Sequence, residues 1–269
     1  NFGVDLGDFT LPSQLAFESE DVMARIDWNI NDAHRAYLRY NKSTQSEPFL
    51  RQIGARNLSL SSFWHSNEKE AESAVAQVFS DWTDSFSTEF KLGRSETSSL
   101  WNLNSELPQI RLCWGATANA STCAGADSIY AGAEQFRHIN ILETEITTGF
   151  GAGTLFVGDH ELKFGAEYQA TKAFNLFGRD QFGVYNFGGA TFDAALERFR
   201  QGRPTQYNVR YPVNGDVNSI AANVELENIG LFVQDSWMVT PNLTVTYGLR
   251  YDTFNVPNSP PANPAASAT

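Results

Sequence analysis

Strict two-residue alternation is the feature that most limits what this chain can become. In residues 243–252, Leu243, Val245, Tyr247, Leu249 and Tyr251 point one way; Thr244, Thr246, Gly248, Arg250 and Asp252 point the other. Side chains alternate across a strand, so this is the pattern of a β-strand with one apolar face. The same division separates Leu162, Phe164, Ala166 and Tyr168 from Glu161, Lys163, Gly165, Glu167 and Gln169. It separates Val22, Ala24, Ile26, Trp28 and Ile30 from Met23, Arg25, Asp27 and Asn29. It also separates Phe86, Thr88, Phe90 and Leu92 from Ser85, Ser87, Glu89 and Lys91. Weaker alternation over 33–42, 72–82, 136–157 and 222–239 brings the expectation to about eight strands.

The connections alternate too. Asn31-Asp32, Thr83-Asp84, Gly158-Asp159 and Thr240-Pro241-Asn242 are tight turns made of turn-forming residues. Between these four hairpins lie long connections, near 43–71, 95–135 and 173–221. In an up-and-down arrangement every tight turn falls at one end and every long loop at the other. That is the layout of a membrane barrel with short periplasmic turns and long external loops. The expected fold class is all-β: an antiparallel up-and-down transmembrane β-barrel, partial, with four hairpins of a larger barrel and long external loops.

A soluble sandwich alternates as well, so face chemistry has to separate the two. Trp28, Trp82 and Trp237 stand shortly before tight turns, and Phe156 takes the like place in the remaining hairpin. An indole with an apolar body and one N–H suits the headgroup level, as in an aromatic girdle. Tyr40, Tyr168 and Tyr251 are placed to form the opposite girdle. The connections also exceed the ~2–6 residues usual in compact domains. Slipping the 243–252 strand by one residue would turn Arg250 toward lipid, at a cost of ~2–4 kcal/mol at the midplane. The polar set expected to face the lumen is Arg25, Asp27, Glu89, Lys91, Lys163, Glu167 and Arg250. Asp235 departs from the pattern, because it shares the parity of Ile229, Leu231, Val233 and Trp237. Either a β-bulge or a place near the interface would relieve it.

Composition removes several classes. Nineteen Lys and Arg against 31 Asp and Glu leave a net charge of −12, the opposite of a nucleic-acid footprint. No apolar run reaches the ~18–20 residues of a membrane helix, which leaves strand spans open. The start, residues 1–8, has no basic and apolar leader pattern, and residues 257–269 read as a Pro/Ala-rich loop. Both ends suit an internal piece of a longer chain. Cys113 and Cys123 lie close together in a Gly/Ala/Ser/Thr-rich stretch. A local disulfide would contribute ~2–3 kcal/mol; two buried thiols are the other reading, and no histidine stands at metal-ligand spacing to them.

The segment NIGLFVQDSWMVTPNLTVTYGLRYD, residues 228–252, resembles a characteristic barrel hairpin of TonB-dependent outer-membrane receptors. HELKFGAEYQ, residues 160–169, is similar to the strand that precedes it. VMARIDWNINDAHRAYLRYN (22–41), FSDWTDSFSTEFKLG (79–93) and FDAALERFRQGRP (192–204) resemble the large Oar-like subgroup. The resemblance covers most of the chain. It implies a barrel of about 22 strands, plugged by an N-terminal domain and driven by contact with TonB. On that basis residues 1–269 are one portion of barrel wall, with the plug domain lying elsewhere. The implied partners are outer-membrane lipid, TonB through the plug-bearing part of the parent chain, and an unknown small solute; nucleic acid is not among them. The implied location is the outer membrane of a Gram-negative bacterium. Family members carry iron chelates, cobalamin, saccharides or peptides, and the subgroup is linked to export and surface roles.

No Gly-x-Ser-x-Gly, His-Glu-x-x-His or phosphate-cradling Gly/Lys loop occurs. Catalysis and cofactor binding are not expected. Glu143 and Glu145 read as lumen-facing solvated charges, and Gly149, Gly151 and Gly153 as a strand end. Residues 192–201 have helical spacing, with Phe192, Ala195, Leu196 and Phe199 on one face; the expectation is a loop helix packed on the barrel rim, the alternative a loop helix that shapes the external mouth or touches ligand. Phe174, Phe177, Phe182, Tyr185 and Phe187 with Arg179 are either a ligand-meeting cluster at the mouth or rim packing. Asn-x-Ser/Thr triplets at Asn41, Asn57, Asn119 and Asn242 carry no weight. The rival functions are an adhesive or structural surface barrel and a soluble secreted β-sandwich.

Overall fold

The computed structural model describes residues 4–13, 15–115 and 123–258. Residues 1–3, Asn119 and the chain end from 259 lie outside the described residues. Along the chain come β1 (Glu18–Asn31), β2 (His34–Phe49), β3 (Asn57–Ser59), β4 (His65–Thr83), β5 (Phe86–Leu103), β6 (Gln109–Trp114) and β7 (Asp127–Ala131). They are followed by β8 (Ile139–Val157), β9 (His160–Gly178), β10 (Val184–Gly189), α1 (Phe192–Arg200), β11 (Gln206–Asn208), β12 (Ala222–Thr240) and β13 (Leu243–Asn255).

The long strands build one antiparallel sheet of eight in the order β1-β2-β4-β5-β8-β9-β12-β13. Each is hydrogen-bonded to the long strand before and after it in the chain, so the sheet is an up-and-down wall. Its two outer strands, β1 and β13, are paired on one side only. The wall is therefore part of a barrel, not a closed one. Two-residue turns close the hairpins where turn chemistry expects them. The Asn31 side-chain oxygen accepts from the N–H groups of Ala33 and His34, each at 2.9 Å, an Asx turn.

Register assigns every face. One row across the wall reads Trp28, Ala36, Val78, Phe90, Gly151, Ala166, Leu231 and Tyr251. The neighbouring row of opposite parity reads Asp27, Tyr37, Gln77, Lys91, Phe150, Glu167, Gly230 and Asp252. The apolar face is bare: Ile26 and Leu92 are each 68% exposed and Leu249 is 79% exposed. A sandwich would bury these side chains against a second sheet. Only hydrocarbon can cover a band of this kind at acceptable cost.

The strands outrun that band. β4, β8, β9 and β12 have 19 residues each, against the ~9–11 that span a bilayer. Past the apolar rows the same face carries Lys42, Glu72, Glu96, Glu145, Lys172 and Glu225 in direct register. Pairing continues there while the apolar signal stops, which is why alternation underestimates strand length.

The long connections are not loose loops. They form a second, five-stranded sheet in the order β11-β10-β6-β7-β3, with β10–β6 and β3–β7 parallel. All three connections contribute to it: β3 from the first, β6 and β7 from the second, β10 and β11 from the third. Helix α1 is capped by the Thr191 hydroxyl, which accepts from Ala194 N–H at 3.3 Å. Its Ala195, Leu196 and Phe199 pack on Leu112 and Phe187, so it rests on β6 and β10 and not on the wall's rim. Gly189 permits this approach, because a Cβ there would lie 2.5 Å from the Ala195 nitrogen.

If the apolar face meets lipid, Leu231→Arg in the complete protein costs ~2–4 kcal/mol. Urea unfolding in vesicles measures it. A change within ~0.5 kcal/mol, the range of an ordinary surface substitution, would show that no hydrocarbon covers this row.

Candidate functional site

The candidate site is the charged face of the wall and the folded cap at its external end. All seven residues expected on one face share it. Arg25 and Asp27 alternate with Trp28 on β1; Glu89 and Lys91 alternate with Phe90 on β5. Glu167 on β9 lies in the row of Gly230, Arg250 on β13 in that of Phe232 and Gly165, and Lys163 on β9 in that of Gln234.

These side chains form chains of polar contact across strands. Arg25 grips Asp27 with two bonds, Nη2–Oδ1 2.6 Å and Nε–Oδ2 2.8 Å, and its guanidinium lies 4.2 Å over the Tyr37 ring. The Tyr37 hydroxyl donates to Gln77, whose amide donates to Glu89. On the far side, Arg250 pairs with Asp252 beside it and reaches across β12 to Glu167, Nη2–Oε2 2.6 Å. Gly230 stands in the row between them. A Cβ at Gly230 would sit 2.4 Å from the Arg250 guanidinium, so the missing side chain is the passage that lets the bridge form.

The apolar face has one polar exception. Asp235 stays on that face, opposite Leu162 and Tyr247. The register shift of this hairpin falls at Met238/Thr240 instead, so no bulge relieves Asp235. It is 6% exposed and is held by two partners: His160 Nδ1 at 2.7 Å and the Tyr247 hydroxyl at 2.6 Å. Trp237 stacks on His160 at 5.4 Å, which places the group toward the turn end of the strands.

Trp28 and Trp237 lie on the apolar face, opposite Ala36 and Val245. Trp82 sits at a register shift and turns the same way, its indole N–H donating to Thr88 at 2.9 Å. Phe156 corrects the expectation. It pairs with Glu161, on the charged face, and Leu155 opposite Leu162 takes the outward place. The first and fourth hairpins carry a one-residue shift before the turn; the third pairs without one down to Val157 and His160. Counting back from its turn therefore lands on the other face. Glu143 and Glu145 are corrected as well. They share the parity of Gly149, Gly151 and Gly153, opposite Leu92 and Phe90, so they sit on the outward face above the band, with Glu145 paired to Arg94 at 3.1 Å. Those glycines fall inside β8, not at its end, and leave its apolar parity unmarked in the sequence.

In the cap, Cys113 and Cys123 are joined by a disulfide, with Cα atoms 5.8 Å apart. The five aromatics grouped by sequence do not form one cluster. Phe187 is buried under α1. Tyr185 stacks on Tyr207 at 4.5 Å. Phe182 stacks on His138 at 4.6 Å. Phe174 and Phe177 stay on β9 with opposite parity, facing Glu143 and Asn140 in register. Two buried nodes were missed by sequence reading. Asp180 joins Arg179 and Arg210, each at 3.1 Å. His138 Nδ1 accepts the Phe182 N–H at 3.0 Å while Nε2 contacts the Ala133 carbonyl at 3.1 Å. Neither has a motif, because the partners of His138 are backbone atoms and Arg210 lies far along the chain from Asp180.

Two measurements follow. Gly230→Val breaks the Arg250–Glu167 bridge and costs ~1 kcal/mol for this half-exposed pair; adding Glu167→Gln then changes the unfolding free energy little, whereas additive losses would refute the passage. Burial pushes the His138 pKa down, with the Ala133 carbonyl and Asp180 opposing. A depressed histidine pKa means stability that is complete above the unfolded value, about 6.5, and is lost as pH falls below it. Hydrogen exchange at Phe182, corrected for intrinsic rate, should speed up as pH drops below about 6.5; a flat profile contradicts this.

The model of the outer membrane beta barrel domain family matches residues 3–265. No curated protein matches the chain. Its fold is similar to the outer membrane transporter YddB from Escherichia coli, with TM-score 0.58 and 13% identity over 88% of this chain and 27% of that one. It is also similar to the ferric-catecholate import receptor Fiu from E. coli K12 in its open form, with TM-score 0.54 and 14% identity over 93% of this chain and 38% of that one. The chain thus spans well under half the length of either transporter. An antiparallel wall with a bare apolar band, matched from end to end by one family model, places this protein in the bacterial outer membrane, and the chain belongs to the outer membrane β-barrel domain family.

Proposed function

We propose that residues 1–269 are one partial barrel domain of a TonB-dependent receptor of the Oar-like subgroup, which binds a scarce solute outside the cell and imports it. One observation carries this reading: a continuous charged face across eight strands, capped at its external end by a folded sheet drawn from all three long connections. A wall that only anchors a surface adhesin has no need of an inner face bridged from strand to strand. On this reading Arg25, Asp27, Glu89, Lys91, Lys163, Glu167 and Arg250 line the lumen, where water or a plug domain meets them. Trp28, Trp82 and Trp237 form the girdle at the periplasmic interface. The partners are outer-membrane lipid, the small solute, and TonB acting through the plug-bearing part of the parent chain.

The test compares strains lacking this gene with strains lacking TonB. Uptake of ferric chelates, cobalamin and oligosaccharides is measured in both. The expected result is one solute whose uptake needs both genes. A defect confined to cell adhesion, with no solute dependent on both, would favour the structural barrel instead.

A further inference from the structure

At the external end of the wall, three rings from neighbouring strands meet. Phe49 ends β2 and His65 begins β4, directly paired; Trp101 lies near the end of β5. Their centroids are 5.9 Å apart for Phe49–His65, 5.2 Å for Phe49–Trp101 and 5.2 Å for His65–Trp101. By register these rings share the parity of Gln77 and Lys91, so they stand on the charged face at its mouth.

Two guanidinium groups lie on these rings. Arg137 stacks 4.0 Å over Trp101 and Arg51 lies 4.9 Å over Phe49. A third, Arg179, lies 4.6 Å over Phe136. Arg179 has its own carboxylate in Asp180. Arg51 and Arg137 have no ion pair within 4 Å among the described residues, unlike Arg25, Arg94, Arg210 and Arg250. The carboxylate whose field they share is Glu134, which instead accepts the Phe136 N–H at 3.2 Å. Burial raises the Glu134 pKa, while Arg137, Arg51 and Arg179 pull it back. The two cations are close enough for each to feel the other's charge.

Two further observations point to the same spot. His65 is 3% exposed and its Nε2 is buried with no hydrogen-bond partner; the buried Nε of Arg137 also has none. Unsatisfied buried polar atoms are rare and costly, and ask for a missing partner. Among the described residues, Gln52 and Asp180 are the non-glycine positions with positive φ, at 60° and 61°. Gln52 directly follows Arg51, whereas Asp180 follows Arg179, which keeps Asp180 as its own partner. Strained backbone of that kind gathers where a side chain must be held in place for binding.

We propose that Arg51 and Arg137, backed by Phe49, Trp101 and His65, form a binding site for the oxyanion group of an anionic solute. The guanidinium edges supply paired N–H donors in the plane that a carboxylate or phosphate accepts. The rings fix those planes and keep water from one side of each cation. A planar carboxylate with an aromatic or unsaturated body can continue the stack; a cationic solute is repelled. This rests on the lumen assignment above and adds the class of solute that the lumen admits.

The experiment uses the complete protein in detergent micelles, with benzoate and inorganic phosphate as probes and benzamide and benzylammonium as neutral and cationic controls. Binding is read by saturation-transfer NMR for the organic probes and by titration calorimetry for phosphate. Benzoate should bind and the two controls should not. Phosphate binding as tight as benzoate would assign the recognition to the oxyanion alone; weaker phosphate binding adds the ring contact, and both support the site. R51Q, at an exposed position, and R51Q/R137Q should each weaken benzoate by about tenfold or more, the loss of one charge-assisted pair. Heat-modifiable migration on gels confirms that each variant is folded. No binding of benzoate or phosphate by the unaltered protein, or equal binding by R51Q, overturns the proposal. TonB-dependent uptake that survives in R51Q/R137Q with anion binding unchanged would sink this site and leave the transport reading standing. Anion binding without TonB-dependent uptake would do the reverse.

Discussion

The backbone hydrogen-bond ladder across the eight long strands is the constraint on which everything else hangs. In hydrocarbon no water can satisfy a free N–H or C=O, so a spanning strand must be paired along its length. Once paired, each residue's face is decided by its register and by nothing local. This is why charges distant in the chain can act together. Glu167 and Arg250 meet at 2.6 Å because β9, β12 and β13 lie in order, and Gly230 between them leaves the way clear. It is also why one extra residue before a turn decides which aromatics near the turns stand on the apolar face.

Where the wall breaks its own pattern, the exception is paid for by a partner in the next strand. Asp235 on the apolar face would be expensive alone. His160 and Tyr247, on the strands either side, both bond its Oδ2, while its Oδ1 is buried without a hydrogen-bond partner among the described residues. The glycines of β8 are balanced in a similar way. Phe90 and Phe164 lean over Gly151 and Gly153, so neighbouring rings cover backbone that has no side chain of its own.

The external cap changes how the long connections should be understood. Loops of such length are usually either mobile or functional. Here three of them interlock through two parallel pairings, β10 with β6 and β3 with β7, through α1 on Leu112 and through the bond from Phe182 to His138, while the disulfide and the Asp180 ion pairs brace single connections from within. Each connection serves as scaffold for the others. A scaffold of that kind can hold Arg51, from the first connection, and Arg137, from the second, over rings of the wall.

The amino-acid sequence by itself determined the wall. Alternation in 243–252 or 160–169 is a direct record of a strand with one face in lipid, because side-chain direction repeats every two residues. The tight turns, and the face of Arg25, Lys91, Glu167 and Arg250, were legible for the same reason. What lies above the apolar band was not, since both faces there are polar and the period carries no contrast. The face of Glu143 and Glu145 was hidden by glycines on their own parity. The cap sheet was hidden by its short strands, three residues in β3 and β11, whose partners are far along the chain. The mouth cluster needed coordinates most of all: Phe49, His65, Trp101 and Arg137 have no common spacing, and only the pairing of β2, β4 and β5 brings their rings and charges together.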